Sequence, residues 1–293
     1  MAMEFKKAQR KQSKLRLATS GPSGAGKTYS ALKIAFGMGG KIAVIDTERG
    51  SASKYDHLGD FDVLDLEPPY NPERFIEAIH AAEKAGYDII VIDSATHEWD
   101  GAGGCLELNE KIAVAKYKGN TWSAWSETTP RHRAFIDAIL QSKCHIIVTM
   151  RSKTDTVQEG GKVKKVGMKD VQRDGTDYEF DVVLNLTHEG HYATVGKDRT
   201  GLFAGDPKPI TEATGKMLIE WLNSGAPVAK EVSAAADAQS IYEKGESRLH
   251  DATTLDDLKQ AFGYIHSNKT VLSDEQYAGL VTLKDVMKAN IAG

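Results

Sequence analysis

Short apolar runs rich in β-branched residues alternate with helical spacing across residues 1–220. Residues 14–19 (KLRLAT) predict a strand, followed by a glycine-rich turn and a helix near 27–36. Residues 41–46 (KIAVID) predict a second strand, 71–85 carry helical spacing, and 88–93 (DIIVID) predict a third strand. A helix over 130–142, with proline in its first turn, precedes a fourth strand at 144–149 (CHIIVT). Unbroken Ile/Val runs suit strands covered on both faces, the situation that helical crossovers create between parallel neighbours. Residues 180–186 and 192–195 predict a strand pair turning at Glu189 and Gly190. The expected fold is α/β, a mainly parallel sheet with helices on both faces and an antiparallel edge.

Small residues dominate 223–236 (NSGAPVAKEVSAAA), which reads as a linker. Beyond it, Thr254 with Asp257 and Ser273 with Gln276 have the spacing of helix-capping boxes. The expected division is a basic N-terminal arm at 1–13, a core at 14–225, a linker at 226–236 and a small helical domain at 237–293. A composition of 41% hydrophobic and 27% charged residues excludes a chain disordered throughout. No apolar run reaches the ~18 residues of a membrane span, and the start lacks the apolar core of a signal peptide. The expectation is a soluble cytoplasmic protein with no membrane partner. The two cysteines, Cys105 and Cys144, are far apart and belong to no CxxC or Cys/His motif, so neither a disulfide framework nor a structural zinc site is expected.

The formal net charge of -4 conceals an uneven distribution. Residues 1–20 hold six bases against Glu4, and residues 151–173 hold seven bases against three acids, whereas 228–293 hold seven bases against ten acids. A polyanion meets the local sign rather than the total.

Residues 21–28, GPSGAGKT, match G-x-x-x-x-G-K-[ST] between a predicted strand and a predicted helix. In the loop Gly21, Pro22, Ser23, Gly24, Ala25 and Gly26, the glycines would let the backbone N–H groups of residues other than Pro22 point at phosphate oxygens, and the helix N-terminus adds a favourable dipole. Lys27 would reach the β- and γ-phosphates, the Thr28 hydroxyl would ligate Mg²⁺, and Tyr29 follows in the first helical turn. ATP and Mg²⁺ are the expected ligands. Asp93, at the C-terminal end of the third strand, would face the ligand crevice of an open sheet and hold Mg²⁺ through water. The second strand ends Asp46-Thr47-Glu48, and either carboxylate has the chemistry to orient or deprotonate water beside a γ-phosphate.

In this order the elements resemble the RecA-like branch of P-loop ATPases, over roughly residues 14–205. VIDTE resembles that branch's strand-Asp-x-Glu pattern, IIVIDS its Walker B strand, and GKDRTG at 196–201 the K-x-R-x-G element of RadA-like and DnaB-like proteins. TPRHRAFIDAIL, IIVTMRSKTD and YEFDVVL narrow the resemblance to phage-encoded RecA-like ATPases associated with single-strand annealing and recombination. The resemblance implies that Glu48 activates water and that Lys197 and Arg199 act in trans on a neighbour's γ-phosphate. Where RecA has a γ-phosphate-sensing glutamine, this chain has Thr149 and Arg151.

The resemblance also implies two DNA-facing loops. The first would span 97–129, with Trp122 and Trp125 either stacking on bases or packing on the core. The second would span 152–177 and, with Arg151, place Lys153, Lys162, Lys164, Lys165, Lys169 and Arg173 against phosphates. Phe5 and Ala8 resemble an F-x-x-A polymerisation motif, and the same basic arm also reads as a disordered DNA contact. The expected function is a Mg²⁺-dependent, DNA-stimulated ATPase of recombination and repair, assembled head-to-tail as a filament or ring. Expected partners are single-stranded DNA, further copies of the chain, and a single-strand-binding or annealing protein, in the host cytoplasm if phage-encoded. The alternatives are a DnaB-like translocating motor and a nucleotide-gated annealing scaffold with little turnover; a small-molecule kinase is remote because no acceptor-binding lid is evident.

Overall fold

A computed structural model of the chain describes residues 5, 7–159, 162–226, 234–269 and 271–292, with side chains described outside 156–166, 234–240 and 292. The chain divides into two units, Met1–Ala226 and Pro227–Gly293.

The strands of the first unit are β1 (Arg16–Gly21), β2 (Ile42–Asp46), β3 (Asp62–Asp65), β4 (Ile89–Asp93), β5 (His145–Glu159), β6 (Lys162–Asp170), β7 (Val182–Leu186), β8 (Tyr192–Asp198) and β9 (Lys208–Pro209). They form a sheet in the order β3-β2-β4-β5-β1-β7-β8-β9, and β6 pairs with the outer half of β5. The sheet is parallel from β3 to β7. Beyond β7 it is antiparallel, as is the β5–β6 hairpin.

The unbroken apolar runs are explained by burial on both sides. On β4, Ile89 and Val91 join a layer with Leu32 and Ile34 of α1 (Lys27–Met38) and with Leu218 and Leu222 of α6 (Glu212–Asn223). Ile90 and Ile92 face the opposite layer, with Phe75 and Ile79 of α2 (Pro72–Ala85) and Phe135 and Ile139 of α5 (Thr121–Gln141). Every position of β4 is therefore buried, as the period-free pattern requires. The chain has an α/β P-loop-type fold with an antiparallel edge.

Both predicted loops are ordered elements. Instead of a loop over 97–129 there are α3 (Thr96–Asp100), α4 (Cys105–Lys116) and the first half of α5. The Asn120 side chain accepts the Ser123 N–H at 3.1 Å, so α5 starts there, and Pro130 falls inside the helix rather than in its first turn. Proline costs a helix one backbone bond; the buried face carried through Ala124, Thr128, His132, Phe135 and Ile139 continues across it. Instead of a second loop, β5 runs out of the sheet and returns as β6, with a register shift between Asp155 and Thr156. Gly160 and Gly161 lie outside the described residues.

The arm is partly tied down. Arg10 Nη1 donates to the Trp221 carbonyl at 2.8 Å, Nη2 donates to Ser224 Oγ at 2.6 Å, and the guanidinium lies 4.4 Å from the Trp221 ring centroid. Gln12 N–H donates to the Ala226 carbonyl, and Ala226 N–H to that of Arg10. Residues 10–12 are thus docked rather than disordered. Phe5 is exposed, and residues 1–4 and Lys6 lie outside the description.

The second unit contains α7 (Ala234–His250), α8 (Leu255–Ser267) and α9 (Asp274–Ala292) around Leu249, Leu258, Ile265 and Leu280. Thr254 and Asp257 cap α8 reciprocally, and Ser273 and Gln276 exchange backbone bonds at 3.1 Å at the start of α9. Most of the expected linker, 227–233, lies outside the described residues. No helix among the described residues is long and apolar enough to cross a membrane.

Candidate functional site

The site is built at the C-terminal edge of the parallel sheet. Past Gly21 the chain turns sharply, and Gly24 and Gly26 adopt φ of 77° and 84° before α1 begins at Lys27. These left-handed conformations favour glycine, and they leave the helix N-terminus open to an anion. Lys27 Nζ donates to the Pro22 carbonyl at 2.9 Å, folding the side chain back over the loop. Burial pushes the Lys27 ammonium down, and the charges of Asp93 and Glu48 hold it up. Tyr29, half-exposed, packs edge-on against Tyr55.

Strand register places Asp46 directly opposite Asp93. Asp93 is 1% exposed and accepts the Thr28 hydroxyl at 2.6 Å on Oδ2 and the Thr149 hydroxyl on Oδ1. Burial raises its carboxyl pKa, while the two hydroxyls pull it down. Thr28 and Asp93 form a hard-oxygen pair of the kind that Mg²⁺ takes, beside the phosphate loop.

Asp46 and Glu48 have separate surroundings. Asp46 accepts the backbone N–H groups of Glu48 at 2.5 Å and Ala52 at 2.8 Å, so both of its oxygens organise the turn after β2. Glu48 points instead to Arg151. Arg151 Nη2 donates to both Glu48 oxygens at 2.6 Å, Nε donates to Oε1 at 3.0 Å, and the Ser94 hydroxyl donates to Oε1 at 3.4 Å. Arg151 is therefore engaged at the nucleotide edge rather than along the basic hairpin.

His97, Tyr70 and Thr47 complete the wall behind Glu48, and the sequence reading did not single them out. Thr47 Oγ1 accepts the Ser94 N–H at 2.8 Å and lies 2.7 Å from His97 Nδ1. The His97 ring stacks on Tyr70 at 5.1 Å, and its pKa is lowered first by burial and then by Arg151. The available signal was the position of His97, four residues beyond the Asp93 that ends β4.

Lys197 and Arg199 lie apart from the phosphate loop of their own chain. Lys197 pairs in register with Val183, which pairs with Ala18, so it sits two strands from β1 and below the loop. Lys197 Nζ donates to the Tyr178 carbonyl, and Arg199 Nη2 donates to the same oxygen at 3.4 Å. Burial, then the Arg199 charge, lowers the Lys197 ammonium.

The remaining basic residues are dispersed. Lys153 faces Lys169 across the hairpin, and Lys169 is paired with Asp174 at 2.8 Å. Arg173 donates to Thr129 Oγ1 at 3.0 Å and lies over Trp125. Lys162, Lys164 and Lys165 belong to β6, but their side chains lie outside the described residues. Trp125 stacks on Trp99 at 5.4 Å, whereas Trp122 is 86% exposed beside a cleft of about 750 Å³. The cleft lining mixes Lys153, Lys169 and Arg173 with Asp100, Asp155, Asp170 and Asp174.

Folding also assembles a Cys/His cluster that no local motif announces. Glu98, Cys105 and His132 are buried with their ligand atoms within 4.8 Å of one another. Cys105 Sγ donates to Glu98 Oε1 at 3.0 Å, and His132 Nδ1 lies 3.1 Å from the same oxygen. Burial and Glu98 push the Cys105 thiol far up, and both Cys105 and His132 meet the Glu98 carboxylate.

A family model described as AAA domain matches residues 13–213. The chain belongs to that family of AAA-type P-loop ATPases, and residues 13–213 are its nucleotide-binding ATPase domain. No curated protein matches the chain.

Proposed function

We propose that this chain is a Mg²⁺-dependent, DNA-stimulated ATPase of the RecA type that binds single-stranded DNA and assembles head-to-tail in recombination or repair. The observation that carries the nucleotide part is the convergence of Lys27, Thr28, Asp93 and Glu48 on one edge of the sheet, with Thr28 bonded to Asp93 at 2.6 Å. The backbone of 21–28 and Lys27 hold the triphosphate, and Thr28, backed by Asp93, holds Mg²⁺. When bound, that ion offsets charge developing on the phosphate oxygens. Glu48 orients the attacking water and takes its proton, whereas Asp46 is buried and each of its oxygens accepts a backbone N–H of the turn after β2.

Lys197 and Arg199 then serve the next protomer, consistent with head groups that rest on an exposed carbonyl away from their own loop. The hairpin lysines and Arg173 supply phosphate contacts, and Trp122 supplies an exposed ring for a base. A single-strand-binding or annealing protein would meet the acidic second unit, in the host cytoplasm if the chain is phage-encoded.

The test is steady-state ATP turnover with and without single-stranded DNA. Lys27→Ala should abolish turnover, Glu48→Gln should lower it at least about 100-fold while retaining nucleotide, and DNA should raise the wild-type rate. A rate indifferent to DNA at every salt concentration overturns the DNA assignment. The Glu48–Arg151 pair favours one other reading, a nucleotide-gated scaffold, which would bind ATP, barely turn it over, and still anneal strands after Glu48→Gln. Strand displacement from a forked duplex would instead identify a DnaB-like motor.

A further inference from the structure

Glu98, Cys105 and His132 come from three successive helices, α3, α4 and α5, and are 0%, 0% and 3% exposed. The turn between α3 and α4 is tight: a Cβ on Gly104 would stand 2.7 Å from the His97 carbonyl oxygen, so glycine lets Cys105 close onto Glu98. The Thr128 hydroxyl ties α5 to α4 by donating to Asn109 Oδ1 at 3.0 Å. Cys105 Sγ lies 3.0 Å from Glu98 Oε1, and His132 Nδ1 lies 3.1 and 3.2 Å from the two Glu98 oxygens. Gln172 Nε2 donates to the Ala95 carbonyl at 3.0 Å and reaches Glu98 Oε2 at 3.5 Å, which orients the carboxylate. Among the described residues, the side-chain partners of this buried carboxylate are thus a thiol, an imidazole and an amide, none of them a permanent cation.

We propose that Glu98, Cys105 and His132 form a binding site for a Zn²⁺ ion, separate from the Mg²⁺ position at Thr28 and Asp93. Thiolate, imidazole and carboxylate are the donors that this ion takes. Bound at about 2.0–2.3 Å in a tetrahedron, such ligands stand roughly 3.3–3.8 Å apart. The spacings here run from 3.0 Å to no more than 4.8 Å, so the helices need no rearrangement to admit the ion. Charge favours it as well: Zn²⁺ with one carboxylate, one thiolate and one neutral imidazole sums to zero, the balance that a dry site requires. Binding exchanges the Cys105 S–H bond for an S–Zn bond, and the proton leaves to solvent. The second Glu98 oxygen or a water fills the fourth position. The ion pins α3, which begins three residues past Asp93, to α4 and α5.

The test uses the full chain, stripped with a chelator and titrated with Co²⁺ in excess Mg²⁺. Cobalt takes the same donors as zinc and is visible by absorption. One equivalent should raise a thiolate-to-cobalt band together with the visible bands of a tetrahedral ion, and Zn²⁺ should bleach both. The thiolate band identifies the site, because the oxygen donors of Thr28 and Asp93 cannot produce it. Cys105→Ser should abolish the band, and Cys144→Ser, which removes the only other thiol of the sequence, should leave it unchanged. His132→Gln should weaken Co²⁺ by more than about 100-fold, and Gln172→Ala, which removes only an outer hydrogen bond, by about tenfold. Zn²⁺ should raise the thermal midpoint of wild type and not that of Cys105→Ser. A wild-type chain without the thiolate band, a band that survives Cys105→Ser, or equal stabilisation of both proteins by Zn²⁺ overturns the site. Should Cys105→Ser fail to fold, Cys144→Ser decides: loss of the band there overturns the site, and its retention leaves Cys105 as the one thiol able to give it.

Discussion

His145 begins β5, where its Nδ1 accepts the Leu15 N–H at 3.0 Å and Lys14 Nζ lies 3.5 Å from Nε2. Burial first, then the charges of Lys14 and Arg16, lower its pKa from 6.5 to about 4, against a smaller upward pull from Asp88. The unfolded chain takes up this proton near pH 6.5, and the folded chain only near pH 4. The neutral ring's contribution is therefore complete above pH 6.5 and is lost as pH falls through the folded value, by about 3 kcal/mol in all. Denaturant unfolding from pH 7 to 4 should show wild type losing stability over this window. His145→Asn, which keeps an acceptor for Leu15 without a titrating ring, should flatten that dependence. At the nucleotide edge the same scale separates the two carboxylates after β2: Asp46 accepts backbone N–H groups of its own turn, whereas Glu48 is paired with Arg151.

At the scale of elements, α1 and α6 meet through glycine. A Cβ on Gly215 would stand 2.1 Å from the Ile34 carbonyl oxygen, and one on Gly37 would stand 2.0 Å from that of Glu212. Backbone cannot yield as a flexible side chain does, so Gly215→Ala should cost about 2–4 kcal/mol, read as a lower denaturation midpoint with unchanged denaturant slope. This helix pair was not legible, because α6 carries only a short apolar stripe and the glycines matter through a partner more than 170 residues away in sequence. β3 was missed for a related reason: DVLD is an exposed edge without an Ile/Val run. The runs at β1, β2, β4 and β5 were legible because double-sided burial removes any need for polar positions. At the start of α5 and at the β5–β6 hairpin the resemblance implied loops, whereas helix packing and strand pairing order these segments.

At the scale of the molecule, Pro227–Gly293 carries its own apolar cluster and reciprocal helix caps. A fragment of residues 227–293 should be helical by circular dichroism, with a shallow, low-temperature melt, because a domain this small buries a small share of its surface. An unfolded fragment would mean that its helices depend on the first unit. The sequence alone determined the parallel core and the phosphate loop, and it marked both carboxylate-bearing strand ends, because periodicity, glycine conformations and the G-x-x-x-x-G-K-T spacing act over a few neighbouring residues. Only the tertiary structure decided that Asp46 serves its own turn, that Arg151 reaches Glu48 from a strand two places away in the sheet, that Arg10 docks on Trp221, and that Cys105, His132 and Glu98 meet. Apart from the Asp46 turn and the Glu98–Cys105 contact, which are local, those pairings join residues that are distant along the chain, and strand order and helix packing set the distances between them.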